Sequence, residues 1–359
     1  MAALSEAVDL DHQLGGQSTV SRPRPTMKEV AEQANVSLST VSYVLNNSGP
    51  VAADRRARVL AAVRELRYTP NEAARRLKRR SALAIGLFVP DLVNQFFALL
   101  AQGVERAASE RDVLVVLSAP EGNNEAESRN TRLLRSQRVD GVIYLSGNGA
   151  STSSLLELTS LGPVVLVDER RPGLALPAVL SDGRRGAREI AKYVLEQGHE
   201  RVAVIAGPES SWTAEQRLAG YREAFAALGH DPDRLTVLVG DYRQGSGREL
   251  AARALDVPIN RRPTALLCAN DLMAIGAVEY CKGAQLRVPE DVSIVGFDDI
   301  PVAALLTPRL TTVSQPAVEM GYRATTILLD LINGVEGCHS DEFLPVTVQI
   351  RDSVVRPTA

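Results

Sequence analysis

Cysteine is scarce: Cys268, Cys281 and Cys338 are an odd number and stand in no CxxC spacing. That excludes a disulfide-stapled scaffold and fits reduced thiols in a cytoplasmic protein. The four histidines, His12, His199, His230 and His339, are scattered, and no metal site is legible. Aromatic residues make up only 4%, with a single tryptophan at Trp212. No run of eighteen apolar residues occurs, and the N-terminus carries Glu6, Asp9 and Asp11 in place of a basic start and an apolar core. Neither a membrane span nor a secretion signal is therefore expected. No P-loop, no G-x-G-x-x-G after the first strand-like run and no nucleophile with its base can be read, so no enzyme and no cofactor are expected. No leucine heptads follow the last strand-like run before Ala359.

What is present is an ordinary globular balance, 45% apolar and 23% charged, over 359 residues. The net charge of −3 hides an asymmetry. Residues 22–80 hold thirteen Lys/Arg against five Asp/Glu, whereas residues 81–359 hold twenty-seven against thirty-five. A basic front on an acidic body is the electrostatic footprint expected of phosphate binding. Residues 1–25, rich in Gly, Gln, Ser, Thr and Pro, read as a disordered tail.

The stretch T-M-K-E-V-A-E-Q-A-N-V-S-L-S-T-V-S-Y-V-L-N, residues 26–46, has the form of two short helices and a turn. Thr26 and Glu29 have capping-box spacing, Val30, Ala31 and Ala34 share one face, and Asn35 tolerates a left-handed turn. Ser37 then caps a second helix, whose buried stripe is Val41, Val44 and Leu45. Leu38, Ser39, Ser42 and Tyr43 point outward, as side chains reading a DNA groove must. Spacing alone leaves open a helical hairpin packed on a core. Asn47-Ser48-Gly49-Pro50 reads as a loop before a third helix, about Ala53 to Leu66, that buries Val59, Leu60, Val63 and Leu66 and starts at Ala52, a poor cap helped by Asp54. Asn71 then caps a short basic helix at 72–78. Docked on DNA it places Leu77 as a minor-groove wedge with arginines on phosphates; otherwise it is a solvated linker.

These blocks, with R-Y-T-P-N-E-A-A-R-R-L, I-G-L-F-V-P-D-L-V-N-Q-F-F, C-A-N-D-L-M-A-I-G, V-S-I-V-G-F-D-D and L-T-T-V-S-Q-P following in order, resemble the lactose-repressor (LacI/GalR) family of bacterial transcription regulators. The resemblance covers everything but the tail. It implies a homodimeric repressor binding a near-palindromic double-stranded DNA operator under allosteric control by a small-molecule effector, a sugar. The fold implied is α/β: an N-terminal all-α helix-turn-helix headpiece at 26–70, a hinge at 71–82, and a two-lobed periplasmic-binding-protein-like body with two Rossmann-like parallel sheets at 83–359. Lobe 1 is expected at about 83–180 and 312–343, and lobe 2 at about 181–311 and 344–359. The DNA-binding positions carried over are Thr26, Ser37, Leu38, Ser39, Thr40, Ser42, Tyr43, Asn46, Asn71, Ala74, Arg75, Leu77 and Lys78.

The body gives the same architecture from its own pattern. Strand-like runs at Leu83–Val89, Val113–Leu117, Gly141–Leu145, Val164–Val167, Val202–Ala206, Thr236–Val239, Ala265–Cys268 and Ser293–Val295 alternate with amphipathic helical stretches. Short buried strands alternating with helices mean βαβ units, and this length favours two sheets over one. A ligand belongs at the carboxyl ends of such strands. Asn94, Phe96, Phe97, Asp168, Asn270 and Asp298 follow strands there, and Arg217 sits early on a helix. Carboxylates, amides and a guanidinium beside an aromatic face suit sugar hydroxyls. The bland readings are helix caps for Asn270 and Asp271, a turn for Asp298-Asp299, an arginine partner for Asp168 and core for the phenylalanines. The resemblance favours effector contacts, with Tyr242 and Gln315 matching less closely, and Trp212 either closes over a ligand or packs at the surface.

Three departures from the family pattern matter. Tyr43 stands where an arginine commonly forks onto guanine, so the family's usual operator bases do not carry over. Leu38 and Ser39 offer only a thymine-methyl contact and one hydroxyl. Glu169 replaces a frequent arginine beside Asp168, which favours a neutral or cationic ligand. A solute-binding protein or sensor without operator recognition would share the body but has no use for residues 26–80.

Overall fold

The computed structural model describes residues 26–46, 51–66, 83–120, 129–132, 134, 139–145, 152–160, 162–171, 173–335 and 340–357. The expected tail and the expected basic helix with Asn71, Ala74, Arg75, Leu77 and Lys78 lie outside the described residues. Two compact units divide between Ser81 and Ala82.

In the first unit, α1 (Met27–Ala34), α2 (Leu38–Asn46) and α3 (Ala53–Glu65) surround a core of Val30, Ala31, Ala34, Val41, Val44, Val59 and Ala62. The Thr26 hydroxyl accepts from the Glu29 amide while the Glu29 carboxylate accepts from the Thr26 amide, so both ends of the capping box are made. Asn35 turns the chain at φ 50°. Leu60 corrects the sequence reading: it is 40% exposed, while Val59 and Ala62 supply the inward face. At 100° per residue Leu60 falls off the face that those two define. Ala52 makes no side-chain cap, and Asp54 lies in the first turn of α3.

The second unit holds two parallel sheets. The first comprises β1 (Ala84–Phe88), β2 (Leu114–Ser118), β3 (Gly141–Leu145), β4 (Val164–Val167), β5 (Ala178–Ser181) and β11 (Glu342–Leu344), in the order β11-β5-β4-β3-β1-β2. The second comprises β6 (Val202–Ala206), β7 (Thr236–Val239), β8 (Ala265–Cys268) and β9 (Ser293–Val295), in the order β7-β6-β8-β9. Beside the second sheet, β10 (Thr312–Ser314) pairs antiparallel with β12 (Thr347–Gln349), and Ser314 bridges Asp298.

Alternation along each strand explains the layers. Ile85, Leu87, Ile143, Val165 and Val179 share a core with Leu100 and Val104 of α4 (Gln95–Ser109) and Met320, Ala324 and Leu328 of α10 (Ala317–Ile332). Phe88, Val142, Tyr144, Leu166 and Leu180 face the other way, onto Leu155 and Leu158 of α5 (Thr152–Thr159). In the second lobe, Val202, Val204, Ala265 and Leu267 meet α6 (Gly183–Glu196) and α7 (Trp212–Ala227), and Ala203, Ile205, Leu266 and Cys268 meet α8 (Gln244–Leu255) and α9 (Asp271–Gly283). Helices α4 and α10 touch backbone to backbone: a Cβ on Gly103 would stand 1.9 Å from the Val318 carbonyl, and one on Gly321 2.1 Å from that of Leu100.

Candidate functional site

In each sheet strand order reverses beside the first strand of its lobe, between β1 and β3 and between β6 and β8. Such switch points open a crevice at the carboxyl ends of the strands. A cavity of about 300 Å³ occupies it, walled from the first lobe by Asp91, Asn94, Phe96, Phe97, Asp168, Glu169 and Arg171, and from the second by Ser211, Arg217, Tyr242, Asn270 and Asp298 among others.

Eight of the ten effector positions expected from sequence line it: Asn94, Phe96, Phe97, Asp168, Arg217, Tyr242, Asn270 and Asp298. Two do not. Gln315 is buried behind the wall, where its amide donates to Asp298 Oδ1 at 2.7 Å and its carbonyl accepts from the Ser181 hydroxyl. It positions Asp298. Trp212 reaches across to the apolar cluster of the first lobe and lines a separate hollow of about 210 Å³ with Phe343. As the first residue of α7 after the Ser211 cap, its direction is set by helix geometry. Sequence reading missed Asp91, Arg171, Ser210, Ser211, Thr213, Asp241 and Arg243, of which Asp91, Arg171 and Asp241 stand in loops after β1, β4 and β7 and could have been found by the same strand-end signal as Asn94.

Several bland readings hold as well, on the same residues. Asn270 caps α9, its Oδ1 accepting from Met273 N at 2.9 Å while its amide donates to the Tyr242 carbonyl at 2.9 Å. Asn94 caps α4 by accepting from the Phe96 amide at 3.0 Å, and its side chain also hydrogen-bonds Asp298 across the cleft. Phe96 is core, edge-on to Phe97 at 5.7 Å.

Backbone strain concentrates here. Asp168, Tyr242 and Asp298 have φ of 57°, 68° and 113°, values that a Cβ disfavours. Such strain persists where surroundings impose it, and it marks functional sites. Gly207 leaves the space that the Tyr242 ring fills, since a Cβ there would lie 2.3 Å from Cζ.

Arg217 is the electrostatic hinge of the wall. It is 3% exposed, its Nη1 donates to the Ala269 carbonyl, its Nη2 lies 3.6 Å from Asp298 Oδ1, and its guanidinium sits 3.9 Å over the Phe297 ring. Its Nε is buried without a partner. Burial pushes the Asp168 carboxyl up to about 8, opposed by Arg217 and reinforced by Asp298 and Glu169. Burial also raises Asp298, to about 6, while Arg217, Gln315 and Asn94 pull it back.

The folded chain therefore holds a proton on Asp168 that the unfolded chain releases. The stability this group contributes is fullest below the ordinary carboxylate range and is lost as pH rises through about 8. Thermal unfolding followed from pH 5 to pH 9 is expected to show the midpoint falling more steeply in the wild type than in Asp168→Asn; parallel curves would contradict this account.

On the first unit, Ser37 Oγ accepts from the Thr40 amide at 3.2 Å and lies 2.8 Å from the Ser39 and Thr40 hydroxyls. Leu38 and Tyr43 are 48% and 49% exposed, Thr26 and Ser39 are exposed, and Ser42 is half-buried. Leu38, Ser39, Ser42 and Tyr43 share one face of α2, with Ser37 just before it and Thr26 at the cap of α1; the side chain of Asn46 lies outside the described residues.

The family description "Bacterial regulatory proteins, lacI family" matches residues 26–71, and "Periplasmic binding protein-like domain" matches residues 191–354. The HTH-type transcriptional repressor CytR of Escherichia coli K12 is 37% identical over 328 residues, 91% of this chain and 96% of that protein. The ribose operon repressor of the same strain is 35% identical over 86% of this chain and 93% of its own length. Among solved structures, the lac repressor dimer bound to operator and the anti-inducer ONPF superposes with TM-score 0.80 at 29% identity, over 93% of this chain and all of that one. A regulator from Enterococcus faecium with bound ribose does so with TM-score 0.68 at 28% identity, over 76% of this chain and 99% of that one. Among the described residues no helix is long and apolar enough to cross a membrane.

Proposed function

The chain belongs to the lacI family of bacterial regulatory proteins, and from that premise we propose how its two units work. It is a homodimeric transcriptional repressor whose cleft binds a small polyhydroxylated molecule of the sugar class. The role of the cleft is binding without turnover. The observation that carries this is the cavity wall, where Asp168, Arg217, Asn270 and Asp298 from both lobes are brought together in a space of about 300 Å³. Buried charge of that density is costly to maintain and suits a ligand that donates and accepts many hydrogen bonds.

Thr26, Ser37, Leu38, Ser39, Thr40, Ser42 and Tyr43 are assigned to DNA, with Asn46 and Asn71, Ala74, Arg75, Leu77 and Lys78 assigned on sequence. Two headpieces meet two half-sites of a near-palindromic operator. Ligand and operator affinities are linked, so a ligand that weakens operator binding is itself bound more weakly by the DNA-bound dimer.

Selection of sequences from random DNA by the full chain, at fixed salt and with and without a panel of sugars and nucleosides, tests this. Recovery of a near-palindrome whose affinity one compound changes at least about tenfold is expected, a coupling of ordinary allosteric size. Salt-sensitive, sequence-independent binding under every condition would sink the proposal.

A further inference from the structure

One polar connection in the cavity wall runs from lobe to lobe. Glu169 follows Asp168 at the end of β4 and is 7% exposed. Its Oε2 accepts from the Ser211 hydroxyl at 2.9 Å and its Oε1 from the Arg170 amide at 3.1 Å, while the Trp212 amide also hydrogen-bonds this carboxylate. Ser211 belongs to the other lobe, where it caps α7 by accepting from the Ala214 amide at 3.2 Å. A hydroxyl has one proton and two lone pairs. Since the Ser211 proton goes to Glu169, the Tyr242 phenol, 3.2 Å away, is the donor to the remaining lone pair. Every hydrogen-bonding position of Ser211 is then filled, and the chain from Tyr242 through Ser211 ends on Glu169 as an acceptor.

Glu169, Ser211 and Tyr242 all line the cavity, so a bound molecule meets this connection directly. An independent feature of the same wall is the buried Arg217 Nε, a donor without a partner. The Nε itself has no exposed surface, so what the wall presents to a ligand is the Glu169 carboxylate, and a hydroxyl-bearing ligand answers it.

We propose that Glu169 is a specificity-determining residue, which exchanges the Ser211 hydroxyl for a hydroxyl or amino donor of the ligand and excludes ligands that present a phosphate there. This deepens the function proposed above and rests on the cleft being a ligand site. A phosphate monoester has acceptor oxygens and about −1.5 to −2 charges near neutrality. Opposite Glu169 it brings no proton to share and meets a like charge where the dielectric is low. Asp298 deepens the repulsion, and Arg217, the one fully buried cation of the lining, is already engaged by the Ala269 carbonyl and Asp298.

The test uses the full chain in three forms: wild type, Glu169→Gln and Glu169→Arg. Ribose and ribose 5-phosphate, and glucose and glucose 6-phosphate, are titrated as matched pairs. Thermal unfolding is also followed in inorganic phosphate against chloride at equal ionic strength. In the wild type the phosphate ester of any sugar that binds is expected to bind at least about a hundredfold more weakly than its parent, the scale of a like-charge clash. Glu169→Gln is expected to narrow that gap by at least about tenfold. Inorganic phosphate is expected to leave the wild type unmoved and to stabilise Glu169→Arg, or Glu169→Gln if the arginine variant does not fold. An ester binding like its parent, a gap unchanged in Glu169→Gln, phosphate stabilisation of the wild type, or its absence from both variants overturns the proposal. If no neutral sugar binds, the sugar reading of the cleft fails by itself, and the phosphate arm still decides on Glu169.

Discussion

Replacing Arg217 with alanine is expected to lower the unfolding free energy by about 3–5 kcal/mol, the usual cost of leaving a buried charge without its partner. It is also expected to abolish binding of any compound that the wild type takes up. The side chain is 3% exposed and serves Asp298, the Ala269 carbonyl and the Phe297 face at once, so truncation leaves an acid and a carbonyl buried without their donor. Arg217→Lys keeps the charge and loses the planar fork and the stacking, so its stability should fall between the two. If the loss arises from the orphaned acid, adding Asp298→Asn to Arg217→Met should recover much of the stability but none of the binding. Urea unfolding and titration calorimetry on the four variants read both effects. A stable Arg217→Ala that still binds would remove Arg217 from the centre of the site.

The second large effect concerns packing. Gly103→Ala is expected to cost about 3 kcal/mol, the upper end for an overpacked core, because the atom in its way is backbone. The Val318 carbonyl would lie 1.9 Å from the new Cβ, so α4 and α10 must separate along their contact. Gly245→Ala in the first turn of α8 is the control: nothing lies within 4 Å of its Cβ, and alanine there should stabilise by about 0.4–1 kcal/mol. Denaturant midpoints of the two variants should therefore move in opposite directions. Equal shifts would mean that the close approach is not what Gly103 provides.

Chemistry that the chain carries locally was legible in its residues, and chemistry assembled from distant segments was not. The apolar runs 141–145, 164–167, 202–206, 236–239, 265–268 and 293–295 are strands with those limits, because each is short, apolar and bounded by turn residues, and all but 236–239 are buried. Asn94, Asp168, Asn270 and Asp298 were readable as cleft residues because each follows such a strand. Helix α10 gave no start signal, since Pro316 at its cap position offers no side-chain acceptor, and β5 is four residues between Pro177 and Asp182. Ser211 is visible in sequence at most as a cap. Its partnership with Glu169, forty-two positions earlier, exists only once the lobes face one another. Gln315 has the polarity of a ligand contact, but the Ser181 hydroxyl that occupies it comes from 134 positions away.

The order in which the chain is written has a consequence in time. Strand β11, which pairs Phe343 with Leu180 of β5, and helix α10, which covers the first sheet, are encoded after every strand of the second. A ribosome adding about 5–20 residues per second leaves the edge of the first sheet waiting on the order of ten seconds or more for its partner. The core of the first unit, by contrast, is complete once residue 66 has emerged. A nascent chain thus acquires its helix-turn-helix well before it has a cleft, and any DNA it meets in that interval is bound without reference to the ligand.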